Sequence, residues 1–347
     1  MRQSKQVLVG RVPVGGGAPV SVQSMLNVPA DDIPGSVAQA KALADAGCEI
    51  LRAAIPNAAA VALIPAIRKA VDVPLVADIH FDYRLALMAA DAGADAIRIN
   101  PGNIGGKDRV AAVAESCTAH RIPIRIGVNS GSVEKELLAR FGGPTPKALV
   151  ESALHHASLL EACGFTDIVL SIKSSNVDTM IRAYELCAAR CDYPLHLGVT
   201  EAGSERMGVI KNAIGIGSLL QRGIGDTIRV SLTADPVREV LAGQDILRAL
   251  NLGKPGPQII SCPTCGRTRI DLLRIEKEVE ERLRGCKKPI TVAVMGCAVN
   301  GPGEAREADV GIAGGDGVGL VFQKGEIVRK VPEEALVDAL LAQIEQL

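Results

Sequence analysis

From residue 20 onward, short β-branched apolar runs alternate with Ala-rich stretches whose apolar positions recur at helical spacing. The strand candidates are Val20–Ser24, Glu49–Ile55, Pro74–His80, Ala96–Asn100, Pro123–Asn129, Asp167–Lys173, Pro194–Glu201 and Thr227–Thr233. Helical patterns follow them at Gly35–Ala46, Ala58–Val71, Tyr83–Ala92, Lys107–His120, Pro146–Cys163, Val177–Cys191, Glu205–Arg222 and Pro236–Asn251. Strands that alternate with helices of this length imply parallel βαβ units. A weak internal repeat supports the count: ADAGCEILRAAIP from Ala44 and ADAGADAIRINPG from Ala90 each read as a helix end, a capping glycine and the next strand. Eight such units fit a closed (β/α)₈ TIM-type barrel better than an open doubly wound sheet, although periodicity does not show closure. Ahead of them, Val7–Val14 and the glycines 15–17 read as a hairpin and turn placed to plug the bottom of the barrel.

The alternation breaks after Asn251. Gly253-Lys254-Pro255-Gly256-Pro257 reads as a linker by its Pro/Gly density. A charged helix (Thr268–Arg284), a strand (Ile290–Met295), two more short strands joined by Lys324-Gly325 and a helix from Pro332 follow. The expected organisation is a barrel over residues 1–253, holding the substrate site, and a small α+β domain over residues 254–347.

Composition narrows the class. The 347 residues are 48% hydrophobic with only 2% aromatic and no Trp, so the core must be aliphatic. A net charge of −1 without a basic block argues against a protein that wraps nucleic acid. No apolar run reaches the ~18 residues of a membrane span, and MRQSKQVLVG lacks the apolar stretch and small-residue cleavage site of a secretory signal. A cytoplasmic protein is expected. Nine cysteines are too few for a disulfide scaffold of this length, so those at ligand spacing point to a metal instead.

In a barrel of this kind, chemistry sits at the C-terminal ends of the strands. Those ends carry Arg52, Arg98, Arg125, Lys173 and Arg229 on five different strands, four of them in the same apolar-Arg-apolar frame. Converging cations cost too much unless anions neutralise them. Nearby carboxylates such as Asp78 could do so, or a substrate with several phosphate oxygens, which arginine matches bidentately. Asn129, Thr200 and Ser231 add neutral donors at the same level. Glu201 ends the seventh strand, where it either performs general acid/base work or orients an arginine. His80 and His196, near strand ends, are as compatible with a structural as with a catalytic role.

The second signal is in the tail. Cys262-Pro263-Thr264-Cys265 follows the linker, and Cys297 comes 32 residues after Cys265 in a Gly/Pro-rich loop that ends in Glu304. Zinc normally takes a second Cys or His pair, and the tail has no His. Three thiolates suit an iron–sulfur cluster with an unusual fourth ligand, for which Glu304 is the nearest oxygen; a structural zinc ribbon is the alternative. Cys48, Cys117, Cys163, Cys187, Cys191 and Cys286 lie on or beside helices and read as small apolar residues. Gly215-x-Gly217 follows no strand and lacks a third glycine, so the dinucleotide fingerprint fails. A redox cluster without a flavin or nicotinamide site needs an external electron carrier. Two rivals stand beside this reading: a Schiff-base aldolase built on Lys173, and a zinc-ribbon binding module on a barrel.

The segments PVSVQSM, PLVADIHFDYRLA, AIRINPGNIG, IPIRIGVNSGS, LGVTEAG, GIGDTIRVSLTADP, ISCPTCGR and GCAVNGPGEA together resemble the 4-hydroxy-3-methylbut-2-enyl diphosphate synthase family of the methylerythritol phosphate pathway, nearly end to end. Leu26-Asn27-Val28 and Asn212 depart from the familiar pattern. The resemblance implies a TIM-type barrel followed by a cluster domain. It implies a [4Fe–4S] cluster on Cys262, Cys265, Cys297 and Glu304. Diphosphate binding would fall to Arg52, Arg98, Arg125, Asn129, Lys173, Arg229 and Ser231, with Glu201 as the acid/base glutamate. The implied reaction is the two-electron reductive dehydroxylation of 2-C-methyl-D-erythritol 2,4-cyclodiphosphate to the hydroxymethylbutenyl diphosphate, with reduced flavodoxin or ferredoxin as donor. The resemblance also implies a homodimer in which one subunit's cluster domain covers the other's barrel.

Overall fold

The computed structural model describes residues 2–298, 305–315 and 317–347. The chain divides into two compact units, Met1–Gly253 and Lys254–Leu347.

The first unit opens with a hairpin, β1 (Gln6–Val9) and β2 (Val12–Gly15), paired antiparallel from Val9↔Val12 outward. Eight parallel strands follow: β3 (Ser21–Met25), β4 (Ile50–Ala54), β5 (Leu75–Asp78), β6 (Ala96–Ile99), β7 (Ile124–Asn129), β8 (Ile168–Lys173), β9 (His196–Leu197) and β10 (Thr227–Ile228). Their spatial order is their chain order, with β10 paired to β3. Closure between β8 and β9 comes from the Leu170↔Leu195 bridge, where the Leu170 amide donates to the Pro194 carbonyl at 2.9 Å. The barrel expected from the eight repeated units is therefore what this sequence builds. Each strand buries an aliphatic row against helices such as Pro146–Glu161, and one continuous core of Val, Ile, Leu and Ala fills the space between strands and helices.

The hairpin seals the N-terminal end. Val7, Val9 and Val14 pack on Ile50, Val76, Ala96 and Val169, which lie at or near the starts of four barrel strands. Its turn falls at Gly10-Arg11, and the glycines at 15–17, all at positive φ, carry the chain away towards β3.

β9 and β10 are two residues each, shorter than the sequence pattern suggests. Pro194 cannot donate to a ladder. A Cβ on Gly198 would come 2.6 Å from the Arg229 carbonyl oxygen, so the two chains approach closely just beyond the paired residues. Two short helices, Pro101–Ile104 and Lys135–Phe141, occupy loops after β6 and β7 that the sequence pattern leaves unassigned.

The second unit is a five-stranded sheet in order β11-β12-β13-β14-β15: Gln258–Ser261, Thr291–Met295, Val310–Gly314, Gly319–Gln323 and Glu326–Val331. The first three strands are parallel and the last two antiparallel. Helices Leu272–Arg282 and Leu336–Glu345 bury Ile275, Val279, Leu336 and Leu340 in one core with Val292, Val294, Ile312 and Val321. A second apolar cluster gathers Ala293, Met295, Ala313 and Phe322. β11 is the strand that the Pro/Gly-rich linker hides from a pattern reading. Among the described residues no helix is long and apolar enough to cross a membrane.

Candidate active site

Parallel strands deliver their C-terminal residues to one end of the barrel, and most candidate residues of the first unit lie towards that end. Asp78 closes β5 and is 1% exposed. Its carboxylate takes Arg52 Nε at 3.3 Å and Arg98 Nη1 at 3.0 Å, with His80 Nε2 at 3.5 Å. Burial alone would raise the Asp78 pKa, but Arg52, the His80 hydrogen bond and Arg98 outweigh it and hold the carboxyl well below the usual carboxylate range. Arg229, just past β10, is paired with Glu239 at 3.1 Å. Glu239 is itself 3% exposed and also accepts from Ser24 Oγ and the Leu232 amide.

Arg52, Arg98 and Arg229 are thus held by carboxylates while their side chains stay 15%, 15% and 17% exposed. Neither Arg125 nor Lys173 has a carboxylate partner among the described residues. Burial, followed by repulsion from Arg229, Arg52, Arg125 and Arg98, pushes the Lys173 amine well below its ordinary pKa. Burial, opposed by Asp78 and assisted by Arg229 and Arg98, brings Arg52 down to about 10. Five cations therefore share this interior with two buried carboxylates, and both unpaired cations are electrostatically uncomfortable in its present charge state. A multiply charged anion at the mouth would relieve them.

The ring is not level. Arg125 lies four residues before Asn129 on β7, roughly 13 Å along the strand. Its Nη1 donates to Gln23 Oε1 at 2.6 Å across the barrel, and it lines a small internal cavity with Val9, Val14 and Thr227. Arg125, the register partner of Arg98, therefore sits beneath Lys173 and reaches towards the hairpin end of the barrel. Burial comes first among the causes that lower its pKa, with Arg52 and Arg98 next. His196 shares that depth: it is 1% exposed, and burial followed by Arg125 and Lys173 keeps its imidazole neutral at ordinary pH.

Asn129 and Lys173 are register partners at the ends of β7 and β8. The Asn129 side-chain oxygen accepts from the Gly131 amide at 3.2 Å, an Asx turn that fixes where its amide points. Ser231 is half-buried, and its carbonyl accepts from Asn212. Glu201 is exposed in the loop after β9 and has φ +51°, a left-handed conformation that strains a glutamate. Such strain concentrates at functional sites. Thr200, next to it, donates its amide to the Ser174 carbonyl.

Sequence reasoning missed two kinds of residue. Glu239 is the carboxylate that holds Arg229; the available signal was an acidic residue in the first turn of a helix that begins where a barrel strand ends. Gly127 and Gly198 make room for the cations. A Cβ on Gly127 would come 2.4 Å from Arg98 Nε, and one on Gly198 would come 2.8 Å from Lys173 Nζ. A glycine inside a strand marks close approach of another group, and both were visible in IRIGVN and LHLGVT. Gly127→Ala will push the Arg98 guanidinium off Asp78 while the barrel stays folded, since the displaced atoms are the tip of a flexible side chain. The expected result is a KM for substrate raised roughly tenfold or more, the worth of one charge-assisted contact, with a near-normal thermal transition. An unchanged KM would remove Arg98 from the binding set.

In the second unit, Cys262 follows β11 and Cys297 lies just past β12, at matching ends of adjacent parallel strands. The Gly296 amide donates to Cys262 Sγ at 3.2 Å. Cys265 is exposed, and hydrogen bonds from the Arg267 backbone and side chain lower its pKa. Glu304 lies outside the described residues. Among the described residues, no three His, Cys, Asp or Glu side chains are gathered closely enough to hold a metal. The donor chemistry nonetheless suits a thiolate-bound group: a soft ligand set, on neighbouring strand ends, with N–H groups aimed at sulfur.

Comparison with known proteins adds kinship to this geometry. Residues 4–244 match the family model described as the GcpE TIM-barrel domain, and residues 258–346 match the GcpE protein C-terminal domain. A 4-hydroxy-3-methylbut-2-en-1-yl diphosphate synthase (flavodoxin) of Clostridium perfringens is 59% identical over 344 residues, covering 99% of each chain. One from Geobacter sulfurreducens is 55% identical over 345 residues, covering 99% of this chain and 98% of its own. Among solved structures, the dihydropteroate synthase of Stenotrophomonas maltophilia covers 72% of this chain with a TM-score of 0.54 at 15% identity, a likeness of fold alone. Matched by both domain models and by relatives along its whole length, the chain belongs to the GcpE family.

Proposed function

We propose that this chain carries out the two-electron reductive dehydroxylation of 2-C-methyl-D-erythritol 2,4-cyclodiphosphate to (E)-4-hydroxy-3-methylbut-2-enyl diphosphate, the step of isoprenoid biosynthesis that its relatives' names describe. The observation that carries the reading is the barrel interior at and beneath its mouth, where five cations share the space with two buried carboxylates among the described residues. A cyclic diphosphate supplies the missing negative charge. Arg52, Arg98 and Arg229 come pre-oriented by Asp78 and Glu239, so little side-chain entropy is lost when they meet phosphate oxygens. Lys173 binds as a point charge and regains its proton affinity once the anion is in place. Asn129 and Ser231 contribute neutral hydrogen bonds, and Arg125 adds positive charge from beneath.

Two C–O bonds must break, one to open the ring and one to release water. Glu201, exposed at the rim, holds and delivers the proton that lets the hydroxyl leave as water. Cys262, Cys265 and Cys297, with Glu304, would hold a [4Fe–4S] cluster, which when bound supplies the two electrons one at a time. Reduced flavodoxin, named for the relatives, or ferredoxin would recharge it. A homodimer and a cytoplasmic setting belong to the same proposal.

Anaerobic purification followed by iron, sulfide and visible-absorption measurements, then turnover with reduced flavodoxin, tests the reading. A brown, iron-loaded and active protein supports it; a colourless zinc protein overturns it. Glu201→Gln will lower kcat by about 10²–10⁴-fold, the usual worth of a positioned acid or base, with KM little changed. Glu201→Gly will be as inactive yet at least as stable as the wild type, because glycine adopts positive φ without strain. A Glu201→Gln enzyme with normal kcat would take the proton-transfer role away from this residue.

A further inference from the structure

At the opposite end of the barrel from the mouth, two cysteines outside both sites lie side by side. Cys187 is buried in the last turn of helix Val177–Ala188, and Cys191 is partly exposed in the loop leading to β9. Their sulfurs are 3.7 Å apart. The Cys191 amide still donates to the Cys187 carbonyl at 3.1 Å, so one helical turn joins them. That turn sets the Cα atoms about 6 Å apart, inside the range a disulfide spans. Arg2 reaches over the same loop, its Nη2 donating to the Cys191 and Tyr193 carbonyls at 2.7 and 2.8 Å.

The geometry points to Cys187 and Cys191 as a reversible thiol–disulfide pair, in which Cys191 reacts first with peroxide or a small disulfide and Cys187 resolves it. The electrostatics agree. The Cys187 thiol hydrogen bond and the nearby Arg2 charge lower the Cys191 pKa against burial, and the same bond followed by burial raises that of Cys187. An attacking thiolate beside a protonated resolving thiol is the polarity that such exchange needs.

The chemistry balances. The Cys191 thiolate attacks a peroxide oxygen, the O–O bond breaks and hydroxide leaves, giving a sulfenic acid. Cys187 sulfur then attacks Cys191 sulfur. The S–S bond forms, the S–O bond breaks, and the Cys187 proton leaves with the hydroxyl as water. Two electrons pass from the two thiols to one peroxide. This inference is independent of the proposed reaction and of any cluster.

Trypsin cuts after Arg182, Arg190 and Arg206, so the two cysteines fall in separate peptides, 183–190 and 191–206. Full-length protein treated with stoichiometric peroxide and digested without reductant should yield these peptides joined, and thiol reductant should separate them. In Cys187→Ala, the 191–206 peptide should instead carry a trapped sulfenic acid adduct. Alkylation of Cys191 at neutral pH should outpace that of exposed Cys163 on the order of tenfold, as for an activated thiol against an ordinary surface one. Recovery of both peptides unlinked after oxidation, or Cys191 reacting no faster than Cys163, would overturn the assignment.

Discussion

Cys297→Ser, purified without oxygen, will lose bound iron and sulfide and will turn substrate over more than about 100-fold more slowly than the wild type, beyond what a change around a metal ligand costs. Cys297 is 5% exposed just past β12, one residue beyond the Gly296 whose amide bonds Cys262 Sγ. Serine fits that space but offers a hard hydroxyl that stays protonated where a soft thiolate is needed. The defect will be confined to the second unit. The barrel has its own aliphatic core, separate from the one that Ile275, Val294 and Leu340 share, so its helical circular dichroism and thermal transition will persist. Full activity in Cys297→Ser, or unchanged iron content, would defeat the ligand assignment. Barrel unfolding in this variant would instead show that the two units depend on each other for stability.

Asp78→Ala will destabilise the barrel by about 3–5 kcal/mol, the cost of leaving a buried charge without its partner. For a unit of this size that is a thermal shift of roughly 6–20 °C. The loss is large because one carboxylate holds both Arg52 and Arg98, so its removal leaves two mostly buried guanidinium groups facing each other. Its pH dependence has a definite sign. Asp78 ionises far more readily in the folded barrel than in the unfolded chain, where the usual value is about 3.9. The stabilisation is complete above that unfolded value and drains away as pH falls below it towards the folded one. The stability gap between wild type and Asp78→Asn, measured by urea unfolding, will therefore be constant near neutrality and will narrow below about pH 4. A gap that does not change with acid would show that Asp78 stabilises through its shape rather than its charge.

Much of this architecture was legible because local rules and the global fold agree. Lys107–His120 is a helix over the residues its pattern delimits, and the strands up to β8 differ from their patterns only at the ends. The misses have physical causes. β11 follows a linker dense in Pro and Gly, and its four residues owe their strand to β12 beside them rather than to their own pattern. β9 and β10 are cut short where Gly198 and the Arg229 backbone crowd together. At the site, the residue types were readable but their depth was not. The frame of IRI is the same around Arg98 and Arg125, yet barrel stagger puts one beside Asp78 and the other against Gln23. Glu239 was hidden because a helical carboxylate gives no sign in sequence of whether it faces water or a buried arginine.

One seam of the ring, β3 with β10, joins strands from opposite ends of the first unit. Thr227 hydroxyl meets the Ser21 carbonyl across 206 residues of chain, so β3 has no neighbour on that side until almost the whole first unit has been synthesised. At ribosomal speeds of about 5–20 residues per second, that wait is roughly 10–40 s. The open edge of β3 is exposed throughout it, and contacts of this sequence separation also form slowly after release. The nascent chain thus spends longest in the state most open to wrong pairing at its very beginning, which makes chaperone capture of the first three strands a matter of timing rather than of final stability.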